Sequence, residues 1–290
     1  MNLQNALLSL DGLSVGDAFG ERFFVQNPIP LIQKRILPEG IWKWTDDTHM
    51  ALSLVEILTK FGKIDQDALI RQFSRRFIHD GRLGYGRGAA LLLERVFSGE
   101  NWAEINTTIL KGGSYGNGAA MRVPPLGAFF ADDLERVVSE ASLSAEVTHA
   151  HPEGIAGAVA IAVAAALAAQ PDYPTGIDFI KSVHRYVPDG LTKDGILRSV
   201  EIPAETEIES VVELLGNGTA ISAQDTVPFC VWCAAHHLDN YEEALWKTIS
   251  GLGDRDTTCA MVGGIVALSA KTIPQDWLTH REPFPGDFMV

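Results

Sequence analysis

The sequence predicts an all-α fold, and three observations predict it. Apolar residues recur every three to four positions over most of the chain, strict apolar–polar alternation is scarce, and no run of strands is interleaved with the helical stretches. A packed helix or helix pair is expected over 5–19. There Ala6, Leu10 and Leu13 share one face, and Gly12, Gly16 and Gly20 recur at intervals of four, a spacing that suits close approach of a neighbouring backbone. A second helix covers 50–61 and stops at Gly62, and 67–78 reads as an amphipathic third. Glycines then crowd 81–88. Further helices are expected over 89–97, 134–144, 177–186, 207–215, 227–237, 241–250 and 258–270.

The run 154–169 is built mostly of alanine. It falls short of the roughly 18 apolar residues that cross a bilayer, so it is expected to be a buried core helix. The most loop-like stretch is 188–203. No composition break marks a boundary, so the expectation is one domain over 1–290, with 274–290 as a surface tail. Gly116-Asn117-Gly118-Ala119-Ala120-Met121 is faintly echoed by Gly216-Asn217-Gly218-Thr219-Ala220-Ile221, too short a match to count as a repeat.

With 46% hydrophobic and 21% charged residues the chain is of the soluble globular class. Its 37 acidic against 23 basic residues give a net charge of -14, a field that repels phosphate backbones, and no compensating basic patch is evident in the sequence. A nucleic-acid partner is therefore not expected, nor a membrane. Three cysteines, Cys230, Cys233 and Cys259, cannot pair completely, and Met1-Asn2-Leu3-Gln4-Asn5 lacks the basic start of a secretory leader, which points to a reducing cytoplasm.

Two acidic clusters carry the chemistry. Thr45-Asp46-Asp47-Thr48 and Asp254-Arg255-Asp256-Thr257 each stand immediately before an apolar helical stretch. Singly, each reads as a helix cap, because Thr and Asp accept hydrogen bonds from the free amides of a helix start. Adjacent carboxylates repel one another, however, and a cation removes that cost. Thr45, Asp46, Asp47, Asp254, Asp256 and Thr257 all offer oxygen, a donor set that selects Mg2+, Mn2+ or Ca2+ over zinc or copper. Two such ions can activate a water and clamp substrate oxygens, so hydrolysis or group transfer follows.

Between the clusters lies Gly112-Gly113-Ser114-Tyr115-Gly116-Asn117-Gly118, dense enough in glycine for backbone to approach an anionic ligand, although a plain turn between helices explains it equally well. Gly112–Gly116 also satisfies the Gly-x-Ser-x-Gly nucleophile elbow, but no core strand precedes it as that motif requires. His149-Ala150-His151 lacks a third nitrogen or sulfur ligand, so His149 is read as a donor to substrate or as a structural histidine rather than a transition-metal ligand. Cys230 and Cys233 have redox spacing in an apolar helical stretch and read as core.

Taken together, Gly16-Asp17-Ala18-Phe19-Gly20, Thr45-Asp46-Asp47-Thr48, Gly113 through Arg122, Thr148-His149-Ala150 and Asp254-Arg255-Asp256-Thr257-Thr258 resemble, in order, the motifs of the ADP-ribosylglycohydrolase family, which includes dinitrogenase reductase-activating glycohydrolase and the ADP-ribosyl-acceptor hydrolases. The resemblance implies a compact all-α single-domain bundle with two divalent cations, Mg2+ or Mn2+, and an ADP-ribosylated protein or small molecule as substrate. It implies Thr45, Asp46, Asp47, Asp254, Asp256 and Thr257 as metal ligands, with Asp46 or Asp47 assisting proton transfer. Gly113, Ser114, Tyr115, Gly116 and Asn117 would contact the diphosphate and ribose, and His149 would hold the substrate nearby.

One departure stands out: the family usually carries a flap glutamate seven residues after the aspartate of Gly-Asp-Ala-x-Gly, and here that position is Phe24. Glu21 and Glu39 are the nearby acids that could replace it. Two other functions compete with the hydrolase: a catalytically impaired relative that only binds ADP-ribose, and a two-metal phosphohydrolase.

Overall fold

The computed structural model describes residues 1–81, 84–286 and 288. Among these the regular elements are seventeen helices, and β pairing is limited to two isolated bridges, Trp42 with Arg281 and Gly116 with Ser222. The all-α expectation holds. The stretch expected at 5–19 is the helix Leu3–Glu21, started by Asn2, whose side chain accepts from the Asn5 amide. The alanine-rich run is the helix Pro152–Ala168, buried along nearly its whole length.

Both acidic clusters lie further into their helices than the apolar pattern suggests. The helix expected at 50–61 begins at Asp46, and that expected at 258–270 begins at Arg255. Asp46, Asp47 and Asp256 therefore occupy first turns, where the positive end of the helix favours anionic groups.

Two expectations need correction. The loop-like stretch 188–203 contains the helix Leu191–Ser199. Its first amides, on Leu191 and Thr192, donate to the carboxylate of Glu153 at 2.7 and 2.8 Å. The acid that favours this helix start is thus supplied from 38 residues upstream, where a local pattern cannot register it. The segment 274–290 is not simply laid on the surface. Its described part contains the helix Gln275–His280, and Trp277, 1% exposed, stacks on Phe19 at 4.6 Å and meets Trp42 and Trp246 edge-on.

What positions the site is the contact between Leu3–Glu21 and Arg255–Ala270. A Cβ on Gly16 would lie 2.1 Å from the carbonyl oxygen of Cys259, and one on Gly20 would lie 2.3 Å from that of Arg255. The four-residue glycine spacing thus has its partner: the two backbones touch, and Asp17, next to Gly16, is brought to the start of the second helix. Tyr241 braces the same seam through its hydroxyl, which donates to the Gly12 carbonyl at 2.6 Å. Among the described residues no helix is long and apolar enough to cross a membrane.

Candidate metal centre

Asp17 is the fixed point of the site. It sits fully buried in the glycine-lined seam, and the Thr45 and Thr48 amides and hydroxyls all donate to its carboxylate, at 2.5 to 3.1 Å. This bonding ties the first turn of Asp46–Phe61 to the first helix. It also explains why Thr45, although the cap residue, makes no side-chain capping bond: its hydroxyl lies 2.9 Å from Asp17 and 3.0 Å from Asp47. Asp254, the cap of the second cluster, makes no side-chain capping bond either. Among the described residues neither cap side chain thus makes the amide bond that the helix-cap alternative requires.

Oxygens of Asp17, Asp47 and Asp256 lie within 4.8 Å of one another. Asp46 and Asp254 are close enough to act on them electrostatically, so the structure brings both predicted clusters to one point. Arg255, the one basic residue in either cluster, turns outward: it donates to the Phe23 carbonyl at 2.6 Å and lies over the Phe24 ring at 4.3 Å. The carboxylates are left facing one another. Burial, followed by mutual repulsion, pushes Asp46 and Asp47 well above the usual carboxylate range, Asp254 up to about 7 and Asp256 up to about 6. Asp17 rises to about 6 through burial, against the pull of its four donors.

Such a cluster fits divalent cations on two further grounds. Asp47 Oδ1 is buried with no hydrogen-bond partner among the described residues, a costly arrangement for a carboxylate unless a cation meets it. The donors are all oxygen, which suits hard ions. Asp17 lies in the cluster, and the threonine donors occupy its carboxylate, so it anchors the first turn of Asp46–Phe61. Thr257 hydrogen-bonds to Asp254, and its amide donates to Asp256 Oδ1 at 2.9 Å.

The glycine-rich loop joins this cluster to His149. Asn117, buried, donates to Asp254 Oδ2 at 2.7 Å and to the Thr226 hydroxyl at 3.1 Å. On the loop's other side, Cβ atoms on Gly116 and Gly118 would lie 3.2 and 3.0 Å from His149 Nε2, so these two glycines leave room for the imidazole. Gly113 has φ +91° and packs against the His151 amide, while Ser114 Oγ accepts from the Gly116 amide and Tyr115 is 53% exposed.

His149 is oriented from behind. Arg122, fully buried, donates to the Thr148 hydroxyl at 2.9 Å, and that hydroxyl lies 2.7 Å from His149 Nδ1. Arginine can only donate, so the threonine proton is free to go to Nδ1, leaving the imidazole proton on Nε2, towards the loop. Burial, then Arg122, lowers the His149 pKa to about 3, so the ring is a neutral donor.

His151 diverges from His149: its Nδ1 accepts from the Glu153 amide at 3.1 Å and caps the alanine-rich helix, so the pair is no chelate. The Gly-x-Ser-x-Gly segment follows the helix Trp102–Ile109 rather than a strand. Cys230, Cys233 and Cys259 are buried and free.

Sequence patterns did not single out Asp17 or Arg122 for these roles. The signal for Asp17 was present, since it is an acid on a helix face that the glycine spacing assigns to a close contact. Phe24 is 47% exposed. Of its two neighbouring acids, Glu21 is close enough to raise the pKa of Asp256, whereas Glu39 is exposed, its backbone carbonyl accepting from Arg22 at 3.2 Å.

Comparison with known proteins identifies the family. The family profile described as ADP-ribosylglycohydrolase matches residues 2–287. An uncharacterised protein of Archaeoglobus fulgidus is 30% identical over 279 residues, covering 92% of this chain and 88% of its own. ADP-ribosylhydrolase ARH3 of Homo sapiens is 26% identical, covering 83% of this chain and 75% of its own. A solved structure titled ADP-ribosylglycohydrolase-related protein complex superposes with a TM-score of 0.65 at 23% identity, over 97% of this chain and 93% of that one, a likeness of fold.

Proposed function

Since the chain belongs to the ADP-ribosylglycohydrolase family, we propose that it is a divalent-cation-dependent hydrolase that cleaves the bond between the anomeric carbon of an ADP-ribosyl group and its acceptor. The observation that supports this is the grouping of Asp47 and Asp256 oxygens with Asp17, the electrostatic reach of Asp46 and Asp254 to them, and an Asp47 oxygen that is buried and without a partner among the described residues. Asp46, Asp47, Asp254 and Asp256, with Thr45 and Thr257, would hold Mg2+ or Mn2+, which would supply Lewis acidity towards water and ribose hydroxyls.

The chain's own groups do the rest. His149 presents its Nε2 proton to the substrate beside the glycine loop, and residues 113–117 hold the diphosphate and ribose. Asp46, half-buried at the rim, takes the proton from the attacking water. Positive charge building up on the ribose in an oxocarbenium-like transition state is stabilised by the surrounding carboxylates. Glu21, whose pKa is raised by burial, takes the place of the acid that Phe24 lacks and protonates the leaving acceptor.

Asp256→Asn tests the assignment. Metal affinity and turnover should fall together; normal hydrolysis with normal metal dependence in that variant removes the cluster from catalysis.

A further inference from the structure

The second Gly-Asn-Gly is left without a role by the site as described, yet it lies beside the first. Gly116 and Ser222 form an antiparallel bridge, and the Ala223 amide donates to the Tyr115 carbonyl at 2.9 Å. Both asparagines reach the same acid. Asn117 holds the carboxylate of Asp254 from one side. Asn217 holds its backbone from the other: the Asp254 amide donates to the Asn217 carbonyl at 3.1 Å, and Asn217 Nδ2 donates to the Gly251 carbonyl at 2.8 Å.

Between those two bonds lie Leu252 and Gly253, with φ of +57° and +65°. A leucine in the left-handed region is strained and persists only where its surroundings impose it. A Cβ on Gly253 would lie 2.3 Å from the Asn217 carbonyl oxygen, and one on Gly218, itself at φ +87°, would lie 2.5 Å from the Asp254 Cβ. Asn217 is in turn fixed by Thr219, whose hydroxyl donates to Asn217 Oδ1 at 2.7 Å.

We propose that the turn 216–219 is a positioning element: Asn217 staples both ends of the left-handed pair Leu252–Gly253, and Gly218 leaves the space that lets Asp254 face Asp256. Without the staple, repulsion between the two carboxylates turns Asp254 outward. The proposal rests on cations binding at the cluster and is independent of which bond the enzyme cleaves.

The test is Mn2+ binding to folded protein, followed by the electron paramagnetic resonance of free Mn2+, with thermal unfolding measured in chelator and in Mn2+. Asn217→Ala and Gly218→Ala should weaken binding by about tenfold or more, the usual effect of losing a group that orients a ligand. Thr219→Val, at an exposed position whose loss leaves the fold intact, should weaken it by a smaller factor. In all three the stabilisation gained on adding Mn2+ should shrink relative to wild type. Wild-type affinity in the folded variants, with unfolding temperature lowered equally with and without Mn2+, would reduce the turn to ordinary scaffold and overturn the proposal. Wild-type protein that binds no Mn2+ would overturn both the proposal and the cation site beneath it.

Discussion

Replacing Asp254 with asparagine should make the metal-free protein more stable and the metal-loaded protein less so. Asp254 is pushed up to about 7 from 3.8 by burial and then by Asp256. In the unfolded chain it ionises at its ordinary value, so above that value the native state binds more protons and stability falls as pH rises. The penalty is absent below about pH 4, grows through the window up to about pH 7, and then levels off. The rise corresponds to at most about 4 kcal/mol at pH 8. In Asp254→Asn the charge is gone, while an amide oxygen can still accept from Asn117.

At about 2–4 °C per kcal/mol for a chain of this size, the variant in chelator at pH 8 should unfold roughly 10 °C above wild type. The gap should close as pH is lowered towards 4. Mn2+ at about 10⁴ times the wild-type Kd should reverse the order, because binding then adds about 5.5 kcal/mol to wild type, more than the penalty of about 4 kcal/mol. Calorimetric unfolding from pH 4.5 to 8, with chelator and with Mn2+, reads all of this. A gap in chelator that does not vary with pH, or a variant less stable than wild type throughout, would refute the claim that Asp254 is an uncompensated charge awaiting a cation.

Other expectations follow from the same geometry. His149→Ala should raise KM for an ADP-ribosyl substrate by roughly 3- to 10-fold, the worth of one hydrogen bond, and because burial holds His149 neutral down to about pH 3, the wild-type rate profile between pH 5 and 9 should show no histidine limb. Glu21→Gln should lower kcat by about 10²-fold or more, as loss of a general acid does, with Mn2+ affinity nearly unchanged; a kcat within about twofold of wild type excludes Glu21 as the acid. Gly16→Ala places a Cβ 2.1 Å from the Cys259 carbonyl oxygen and should cost about 1–3 kcal/mol in a urea titration, the usual penalty of overpacking, while weakening Mn2+ binding as Asp17 and Asp256 part; full stability would mean the helices are not held by that contact.

Much of the fold and the outline of the site were legible in the sequence because they rest on local signals. Period-3.6 patterning located the long helices, and the four-residue glycine spacing announced a backbone contact, although not its partner. The carboxylates stood out as acids placed where a helix start needs only one. What stayed hidden depends on distance along the chain. Leu191–Ser199 is started by Glu153, and the tail is pinned by Trp277 slotting between Phe19, Trp42 and Trp246. Asp17 looked like one acid in a glycine-rich helix until Thr45 and Thr48 converged on it. Arg122 looked like the end of a loop motif, and only its bond to Thr148 shows that it sets the tautomer of His149.

The claim that this cluster hydrolyses ADP-ribosyl linkages is tested most directly by incubating the wild-type protein, with Mg2+ or Mn2+ and separately with chelator, against ADP-ribosyl-arginine, ADP-ribosyl-serine and O-acetyl-ADP-ribose, and weighing the products by mass spectrometry. The account predicts intact ADP-ribose and a regenerated acceptor from at least one linkage, lost on chelation. Tight ADP-ribose binding with no turnover of any linkage in the presence of metal, or release of inorganic phosphate in place of ADP-ribose, would contradict it.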